Sequence, residues 1–339
     1  MGQAGQIGRY PSEGLTHCPD SPTMISRKTA LFVQAVFFLS LQALPLRGQE
    51  TEAKAETGQI APITLVFYNL KNYLAMERRL NGEIVEDAPK PESEITPLIE
   101  GIIAMAPDVL GVCEIGDDSF VKDLQSRLKA GGIDLPFTEI VTDSAGWNRN
   151  LALLSRFPII DRQSRDDYTY VLDNTKHAIQ RGILDVKLAI NPQYHLRYIG
   201  LHLKSKREVP EGDESLMRLN EARLARQHID RIFEAEPGTN LLVAGDFNDL
   251  RIEAPVKTLQ GSFGQPGYLS SLTLSDPFGF HWTHYWSFAD SYSRFDYALY
   301  SEGLSDEINR DQCRIHHWDD WDKASDHRPL VISITPVDK

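Results

Sequence analysis

The sequence alternates between short apolar segments typical of strands and longer amphipathic segments typical of helices. Strands are predicted at 63–70, 108–115, 137–141, 150–157, 178–190, 194–205, 241–247, 294–301 and 329–334. Helices are predicted at 91–107, 117–129, 213–236 and 254–259. The longest helix is expected to turn Leu216, Leu219, Ala222, Leu224, Ile229 and Phe233 toward the core. Strands outnumber helices, and hairpin-like neighbours alternate with helical crossovers, so the pattern predicts an α/β architecture of mixed sheets covered by helices.

The N-terminal residues are typical of an export signal. Arg27 and Lys28 precede an apolar run that polar residues interrupt, and a membrane span needs roughly 20 predominantly apolar residues. We predict an upstream extension at 1–23 before a true start at Met24, a signal peptide at 24–48, a flexible tether at 49–61 and one domain at 62–339. The chain is therefore expected to be exported, to the periplasm or the extracellular space. A membrane anchor is the alternative.

The net charge argues against tight binding of nucleic acid by phosphate neutralisation. The chain has 35 basic and 48 acidic residues, a formal charge of −13. Residues 1–47 hold 4 basic and 2 acidic residues, which leaves 31 against 46, or −15, for the remainder. Proteins that bind nucleic acid through its phosphates usually show the opposite balance. A polyanionic substrate would therefore need a bound cation or a local basic patch.

Polar side chains that bind metal ions or phosphate lie at or near the ends of several predicted strands. They are Asn69, Glu114, His202, Asp246, Asn248, Asp296, Asp326 and His327. Buried carboxylates are destabilising unless they are paired or bound to metal, so their recurrence at strand ends predicts a shared site. Oxygen ligands without cysteine suit a hard cation such as Mg²⁺ or Mn²⁺, which can assist the attack of water on phosphorus.

His327 has two candidate partners, and strand geometry favours one of them. Neighbouring residues of a strand point to opposite faces, so Asp326 is not expected to orient the imidazole. Asp296, from another strand, is the better candidate. Each residue also has a structural interpretation when taken alone. Asn69 could cap a turn, His202 could be a core histidine, and Asp296 could pair with Arg294.

Six sequence blocks, in this order, resemble the endonuclease/exonuclease/phosphatase superfamily. They are VFYNLKNYL, VCEI, GLHLKS, GDFND, SRFDYALYS and SDHRPLV, and they span nearly all of residues 62–335. The resemblance implies a four-layer α/β/β/α sandwich of two packed mixed β-sheets, as in deoxyribonuclease I. The block VCEI departs from the commoner family pattern, because Cys113 stands where glutamine is usual.

The resemblance also implies a role for each matched residue. Glu114 is the main metal ligand, with Asn69 and Asp326 assisting, and the cofactor is Mg²⁺ or, in its place, Mn²⁺ or Ca²⁺. Asn69 and Arg181 bind the substrate phosphate. The catalytic residues are His202, Asp246, Asn248, Asp296 and His327. Among them, Asp246 and Asn248 position the attacking water, and Asp296 orients His327.

These observations predict an exported, monomeric, divalent-metal-dependent phosphoesterase that uses water directly. A nuclease acting on nucleic acid is the first choice, and a sphingomyelinase-like or inositol-phosphate phosphoesterase the alternative. A non-catalytic binding module on the same fold is a second alternative. The segment 281–286 is expected to pack on the rim of the site or to stack on substrate, and no exposed aromatic hairpin is expected. Lys204, Lys206 and Arg207 form either a basic lip or a solvated loop.

Overall fold

Two six-stranded sheets dominate the computed structural model, which describes residues 60–338. The predicted upstream extension, the signal peptide and all but the last two residues of the tether lie outside these residues. Within residues 60–338, no helix is long and apolar enough to cross a membrane.

The first sheet has the strand order β17-β18-β1-β4-β6-β5. Its strands are β1 (Ile63–Tyr73), β4 (Val109–Ile115), β5 (Phe137–Val141), β6 (Asn150–Ser155), β17 (Arg314–Ile315) and β18 (Leu330–Ile334). Strand β1 lies at the centre of the sheet, parallel to β4 and antiparallel to β18. The carboxyl ends of β1 and β4 therefore meet at one edge.

The second sheet has the strand order β13-β16-β12-β11-β10-β7. Its strands are β7 (Ile159–Arg162), β10 (Leu184–Asn191), β11 (Tyr194–His202), β12 (Leu241–Asp246), β13 (Ser270–Ser271) and β16 (Asp296–Tyr300). Strands β11 and β12 are parallel, and β16 is antiparallel to β12. The ends of β11 and β12 and the start of β16 consequently lie side by side.

Helices and small hairpins complete the chain. The helices are α1 (Glu92–Met105), α2 (Asp118–Ala130), α3 (Glu214–Ala235), α4 (Ala254–Gln260), the short α5 (Trp321–Ala324) and a 3₁₀ turn at Arg310–Gln312. Three two-stranded sheets pair β2 (Met76–Leu80) with β3 (Glu83–Ala88), β8 (Thr169–Leu172) with β9 (Thr175–Ala178), and β14 (His284–Trp286) with β15 (Ser291–Ser293).

Three apolar clusters define four layers. The alternating side chains of β1 place Leu65 and Phe67 in a cluster between the two sheets, and Val66 and Tyr68 in a cluster under α1 and α2. A third cluster packs α3 and α4 on the outer face of the second sheet, for example Ile229 against Val243. The predicted α/β/β/α sandwich of two mixed sheets is confirmed.

Several details of the predicted elements are wrong. The strand expected at 178–190 begins only at Leu184, since the chain turns at Gly182, whose φ is +71°. Leu216, expected in the core, is 43% exposed. The inner face of α3 instead buries Arg218, Glu221 and other residues that find polar partners. The small hairpins, β7, β13, β17 and α5 were not predicted.

Gly245 lies inside β12, where it pairs with Leu201 and Tyr297. A Cβ at this position would lie 2.3 Å from the backbone oxygen of Leu201. The glycine is therefore required by close approach of the neighbouring strand. The turn comes later, at Asn248, where φ is +52°.

Candidate active site

The facing edges of the two sheets bring most of the predicted residues together. The first sheet contributes Asn69 and Glu114, and the second contributes His202, Asp246 and Asp296. His327 lies three residues before β18. A direct contact joins the sheets, because the side-chain amide of Asn69 donates a 3.1 Å hydrogen bond to Oδ2 of Asp246. The hydroxyl of Ser325 connects Asn69 with His327, because it donates to the backbone carbonyl of Asn69 and accepts from the backbone N–H of His327.

Asp296 orients His327, as predicted from strand alternation. Nδ1 of the imidazole lies 2.7 Å from Oδ2 of Asp296, and Nε2 lies 3.6 Å from Oδ2 of Asp246. Burial alone lowers the pKa of His327, but the carboxylates of Asp296 and Asp246 outweigh burial and raise that pKa to about 10. His327 is therefore an imidazolium held between two acids.

Asp246 is almost fully buried, and burial raises its pKa to about 7. The positive charge of His327 opposes this rise, and the negative charge of Asp296 adds to it. The other oxygen of the carboxylate, Oδ1, accepts the backbone N–H of Asn248 at 2.9 Å. The geometry leaves Asp246 in contact with the amide of Asn69 and close to the imidazole of His327.

His202 lies beside both acids of the site. Its Nε2 is 3.7 Å from Oδ2 of Asp246 and 3.9 Å from Oε1 of Glu114. Burial lowers the pKa of His202 well below its usual value, and the positive charges of Arg181 and His327 lower it further. The ring is therefore neutral, and within residues 60–338 its buried Nδ1 has no hydrogen-bond partner. The interpretation as a satisfied core histidine is wrong.

Glu114 lies on an irregular part of β4, with a left-handed φ of +59°. Its Oε2 accepts the backbone N–H of Asn72 at 3.0 Å, and the side chain is half-buried. Asn248 also has a left-handed backbone, and its side-chain amide donates to the carbonyl of Leu203 at 3.0 Å. The side chain of Asn248 thus ties the turn after β12 to the end of β11.

Asp249, the residue after Asn248 in the turn that follows β12, has structural contacts. Its carboxylate accepts from Nε of Arg218 at 3.0 Å and from Nζ of Lys206 at 2.6 Å. Lys204 is buried and donates to the carbonyls of Ser205 and Arg207, so Lys204 and Lys206 are not free to form the proposed basic lip. These contacts anchor the loops that follow β11 and β12.

Arg181 and Asp326 lie near the site without touching its carboxylates. Arg181 is buried, and Nε of its guanidinium has no hydrogen-bond partner within the described part of the chain. Its positive charge is the second cause, after burial, that lowers the pKa of His202. Asp326 is half-buried, its backbone oxygen accepts from Tyr285, and its carboxylate helps to raise the pKa of His327.

Sequence analysis missed three groups beside the site. The centroid of the His284 ring lies 4.7 Å from that of His327. Burial is the main cause that lowers the pKa of His284, and the positive charge of Lys71 contributes to the same shift. Arg149 donates from Nε to Oδ1 of Asn72 at 2.7 Å. The only available signals were that Lys71 is two residues after Asn69, that Arg149 directly precedes a strand and that His284 belongs to the segment 281–286.

The segment 281–286 packs on the rim of the site, as expected, but it also opens an exposed aromatic hairpin. Trp286 of β14, Phe288 of the connecting turn and Tyr292 of β15 are 54%, 88% and 56% exposed. The expectation that no such hairpin exists is wrong. A backbone bridge and a ring contact join His284 to His327, whereas Trp286, two residues further along β14, is largely exposed.

The residues at this edge fit a hard divalent cation. Asp246, Asp296 and His327 place possible ligand atoms within 4.8 Å of one another, but only the two carboxylates can bind a cation while His327 is protonated. Oδ1 of Asp296 is buried and lacks a hydrogen-bond partner in residues 60–338. The donors are mainly carboxylate oxygens, which Mg²⁺, Mn²⁺ and Ca²⁺ prefer, and a cation would offset the repulsion between neighbouring acids.

A two-sheet sandwich with buried acids, amides and histidines at one edge defines a class of hydrolases that act on phosphate esters. Residues 81–327, more than two thirds of the chain, match the Endonuclease/Exonuclease/phosphatase family, and the chain belongs to this family. Members of the family hydrolyse phosphoester bonds and are generally dependent on divalent metal. No curated protein matches the chain significantly.

Solved structures share the fold at low sequence identity. Sphingomyelinase C from Streptomyces griseocarneus is 16% identical, with a TM-score of 0.54 over 81% of this chain and 99% of that one. The human Nocturnin catalytic domain with bound sulfate is 18% identical, with a TM-score of 0.52 over 80% and 93%. A Bacteroides vulgatus endonuclease/exonuclease/phosphatase is 14% identical, with a TM-score of 0.56 over 82% and 100%.

Proposed function

We propose that this protein is an exported, metal-dependent phosphodiesterase that hydrolyses nucleic acid. The observation that carries the choice of substrate is the set of cations around the acidic site, namely Lys71, Arg149 and Arg181. They supply the local positive charge that a net acidic chain needs to bind a polyanion. A simple monoester or a zwitterionic ester requires fewer such groups.

The proposed chemistry is direct attack of water on the scissile phosphate. Asp246, whose pKa burial raises to about 7, accepts the proton of the water, since a base works best with a pKa near the working pH. Asn69 holds the other side of this carboxylate and contacts the phosphate, and Asn248 fixes the turn that carries Asp246. The amide and the acid thereby define one approach direction for water.

Charge on the phosphate is stabilised by the surrounding donors. His327 acts as an imidazolium, because Asp296 keeps its proton in place. His202 is neutral and donates a hydrogen bond to the phosphate oxygen, with Arg181 behind it. Glu114, assisted by Asp326 and Asn69, is assigned to hold Mg²⁺, or Mn²⁺ or Ca²⁺. The cation, when bound, polarises the phosphoryl group and stabilises the leaving oxygen.

A phospholipid phosphodiesterase is the second candidate, and the exposed aromatic hairpin favours it. Trp286, Phe288 and Tyr292 offer amphipathic rings next to the site edge, a composition that suits the boundary between lipid headgroups and acyl chains. The similarity to a sphingomyelinase C concerns the fold alone. The hairpin carries few charges, so it would suit a zwitterionic surface better than a strongly anionic one.

A panel of substrates tests these assignments. The purified protein is given DNA, RNA, sphingomyelin vesicles, inositol phosphates and bis(4-nitrophenyl) phosphate, each with Mg²⁺ and with chelator. Asp246→Ala is the matched inactive control. We expect Mg²⁺-dependent hydrolysis of DNA or RNA above all other substrates. Preferential hydrolysis of sphingomyelin would favour the second candidate, and absence of any turnover would favour a non-catalytic module.

Export is tested apart from activity. The N-terminal residue of the protein recovered from its source cell, and the compartment that contains it, are determined by peptide sequencing after fractionation. We expect a chain that begins after residue 43 or 48, in the periplasm or the medium. A chain that retains residues 24–48 in the membrane fraction would support the anchor instead.

A further inference from the structure

Two neighbouring strands of the first sheet are irregular next to the site, at the level where a third strand begins. The register of β1 shifts between Asn69 and Tyr73, and that of β4 shifts between Cys113 and Ile115. Strand β6 begins at this level, because its first residue pairs with Ile115. Lys71, Asn72 and Glu114 all have left-handed backbones, with φ of +47°, +58° and +59°. Such conformations are unfavourable for residues with a side chain and persist only where the surroundings enforce them.

Two buried or half-buried cations enforce the conformation of β1. Nζ of Lys90, a residue that is 3% exposed, donates to the carbonyl of Lys71 at 3.0 Å. A guanidinium nitrogen of Arg78 donates to the carbonyl of Asn72 at 2.7 Å. These bonds hold the backbone carbonyls of Lys71 and Asn72. The backbone N–H of Asn72 donates to Oε2 of Glu114, 3.0 Å away.

The side chain of Asn72 extends the same connection to a third strand. Its Oδ1 accepts from Nε of Arg149 at 2.7 Å, and Arg149 immediately precedes β6. Because β6 neighbours β4, Arg149 and Asn72 lie on either side of Glu114. Oε1 of Glu114 in turn lies 3.9 Å from Nε2 of His202, so Arg149 is connected to the candidate phosphate site through two residues.

The guanidinium of Arg149 is oriented but not neutralised. Its one side-chain hydrogen bond within residues 60–338 uses Nε and goes to a neutral amide, and no carboxylate of that range forms an ion pair with it. Its charged end lies 5.8 Å from the ring of Trp147, an indole that is 63% exposed. The two terminal NH₂ groups therefore remain available for a ligand, and an arginine in this state suits the bidentate binding of a phosphate.

We propose that Arg149 binds the phosphate adjacent to the scissile one, and that Asn72 is the positioning residue that orients it. This inference rests on the proposed action on nucleic acid, where phosphates recur along the chain. It extends the binding surface along the first sheet, away from Arg181 and His202. It also gives a role to the left-handed segment of β1, because Asn72 of that segment binds both Glu114 and Arg149 and so fixes their relative positions.

Three dinucleotides with the same single internal linkage test the proposal. They are a thymidine dinucleotide without terminal phosphate, the same with a 5′-phosphate, and the same with a 3′-phosphate. The wild type is expected to hydrolyse one phosphorylated form with a kcat/KM about 10–100-fold above that of the plain dinucleotide, as fits one charged hydrogen-bonded contact. In Arg149→Gln this ratio is expected to fall to about 1.

Two further variants separate binding from structural damage. Arg156→Gln changes an exposed arginine just after the other end of β6 and is expected to keep the wild-type ratio. Asn72→Ala is expected to reduce the ratio through a higher KM for the phosphorylated dinucleotide, whereas a merely structural role would lower kcat on all three alike. Melting temperatures are measured for each variant.

The outcomes distinguish this proposal from the function on which it rests. If the wild type hydrolyses no dinucleotide and no longer nucleic acid, both proposals are wrong. If the wild type hydrolyses all three dinucleotides equally, or if Arg149→Gln keeps the preference, nucleic acid remains the substrate and the assignment of Arg149 is overturned.

Discussion

Asp296 and His327 form a buried pair in which a carboxylate oxygen and Nδ1 lie 2.7 Å apart. The two residues come from different sheets, since Asp296 begins β16 and His327 precedes β18. Asp296 is also the register partner of Asp246 across β16 and β12. One imidazolium thus contacts two acids that are neighbours in the second sheet, which fixes its tautomer and its orientation.

Replacing the orienting acid is expected to lower activity without unfolding the protein. Asp296→Asn retains the size of the side chain but removes the charge that keeps the proton on His327, so kcat is expected to fall by about 10²–10⁴-fold. The measurement is steady-state kinetics on the best substrate of the panel. Asp290→Asn, in the exposed turn of the aromatic hairpin, is the control. A loss smaller than tenfold would show that Asp296 is dispensable for orientation.

Divalent metal is expected to support activity and to stabilise the fold. A ligand at 100 times its Kd stabilises the folded state by about 2.7 kcal/mol, so saturating Mg²⁺ should raise the melting temperature by several degrees. Glu114→Gln should abolish most of this shift, because it removes the charge assigned to hold the cation. Glu77→Gln, at an exposed position of β2, is the control. Equal melting temperatures in Mg²⁺ and in chelator would contradict the assignment.

The buried pair of Arg218 and Asp249 is expected to be a major contributor to stability. Arg218 is 1% exposed and also donates to the carbonyl of Lys204. Arg218→Met leaves the buried carboxylate of Asp249 with Lys206 as its charged partner and the backbone N–H of Leu250 as a neutral donor, so the free energy of unfolding should fall by about 3–5 kcal/mol. Urea denaturation measures the change. Lys122→Met removes an exposed ion pair with Asp118 and should change the free energy of unfolding far less, because solvent screens the pair. Comparable losses in the two variants would refute this ranking.

Stability is expected to fall in mildly acidic solution because of His316. Burial first, and then the charges of Arg314 and His317, together lower its pKa from 6.5 to about 4, and the ring stacks on Trp318. The unfolded chain therefore binds a proton more readily than the folded one, so this contribution is complete above pH 6.5 and is lost as the pH falls toward 4. For a half-buried ring the loss amounts to about 1–2 kcal/mol.

A neutral replacement tests the origin of this pH dependence. His316→Asn should flatten the decline of unfolding free energy between pH 6.5 and 4, whereas His195→Asn, at an exposed position of β11, should leave the decline as in the wild type. Identical slopes in His316→Asn and the wild type would assign the effect to other groups.

The regular parts of the fold and the main site residues follow from local patterns. Strand alternation led to the choice of Asp296 over Asp326 as the partner of His327. The partner is correct, although Asp326 and His327 lie before β18 and not within a regular strand. The order of the sequence blocks then located Asn69, Glu114, His202 and Asp246 at one edge. Both kinds of evidence work where the backbone is periodic or where the motif is contiguous.

The residues that were missed lie where the periodicity fails. Arg149 reaches Asn72 only because β1 and β4 are irregular at the same level, and a pattern with a period of two does not extend through left-handed residues. The inner face of α3 was predicted incompletely, because it also buries Arg218 and Glu221, whose charges meet partners distant in sequence. Hydrophobic periodicity does not detect a polar residue that is buried by pairing.

The bond between Asn69 and Asp246 has a consequence for how the protein loses activity. It spans two sheets whose inner faces meet closely, as shown by the hydroxyl of Tyr198, which occupies the space that a Cβ on Gly111 would need. A slip of one sheet over the other by about 1 Å, the scale at which misplaced groups lose rate, would separate these side chains with every strand still intact. The rate of hydrolysis therefore depends on the alignment of the two sheets. On heating or addition of denaturant, this rate should fall before the circular dichroism signal of the secondary structure changes.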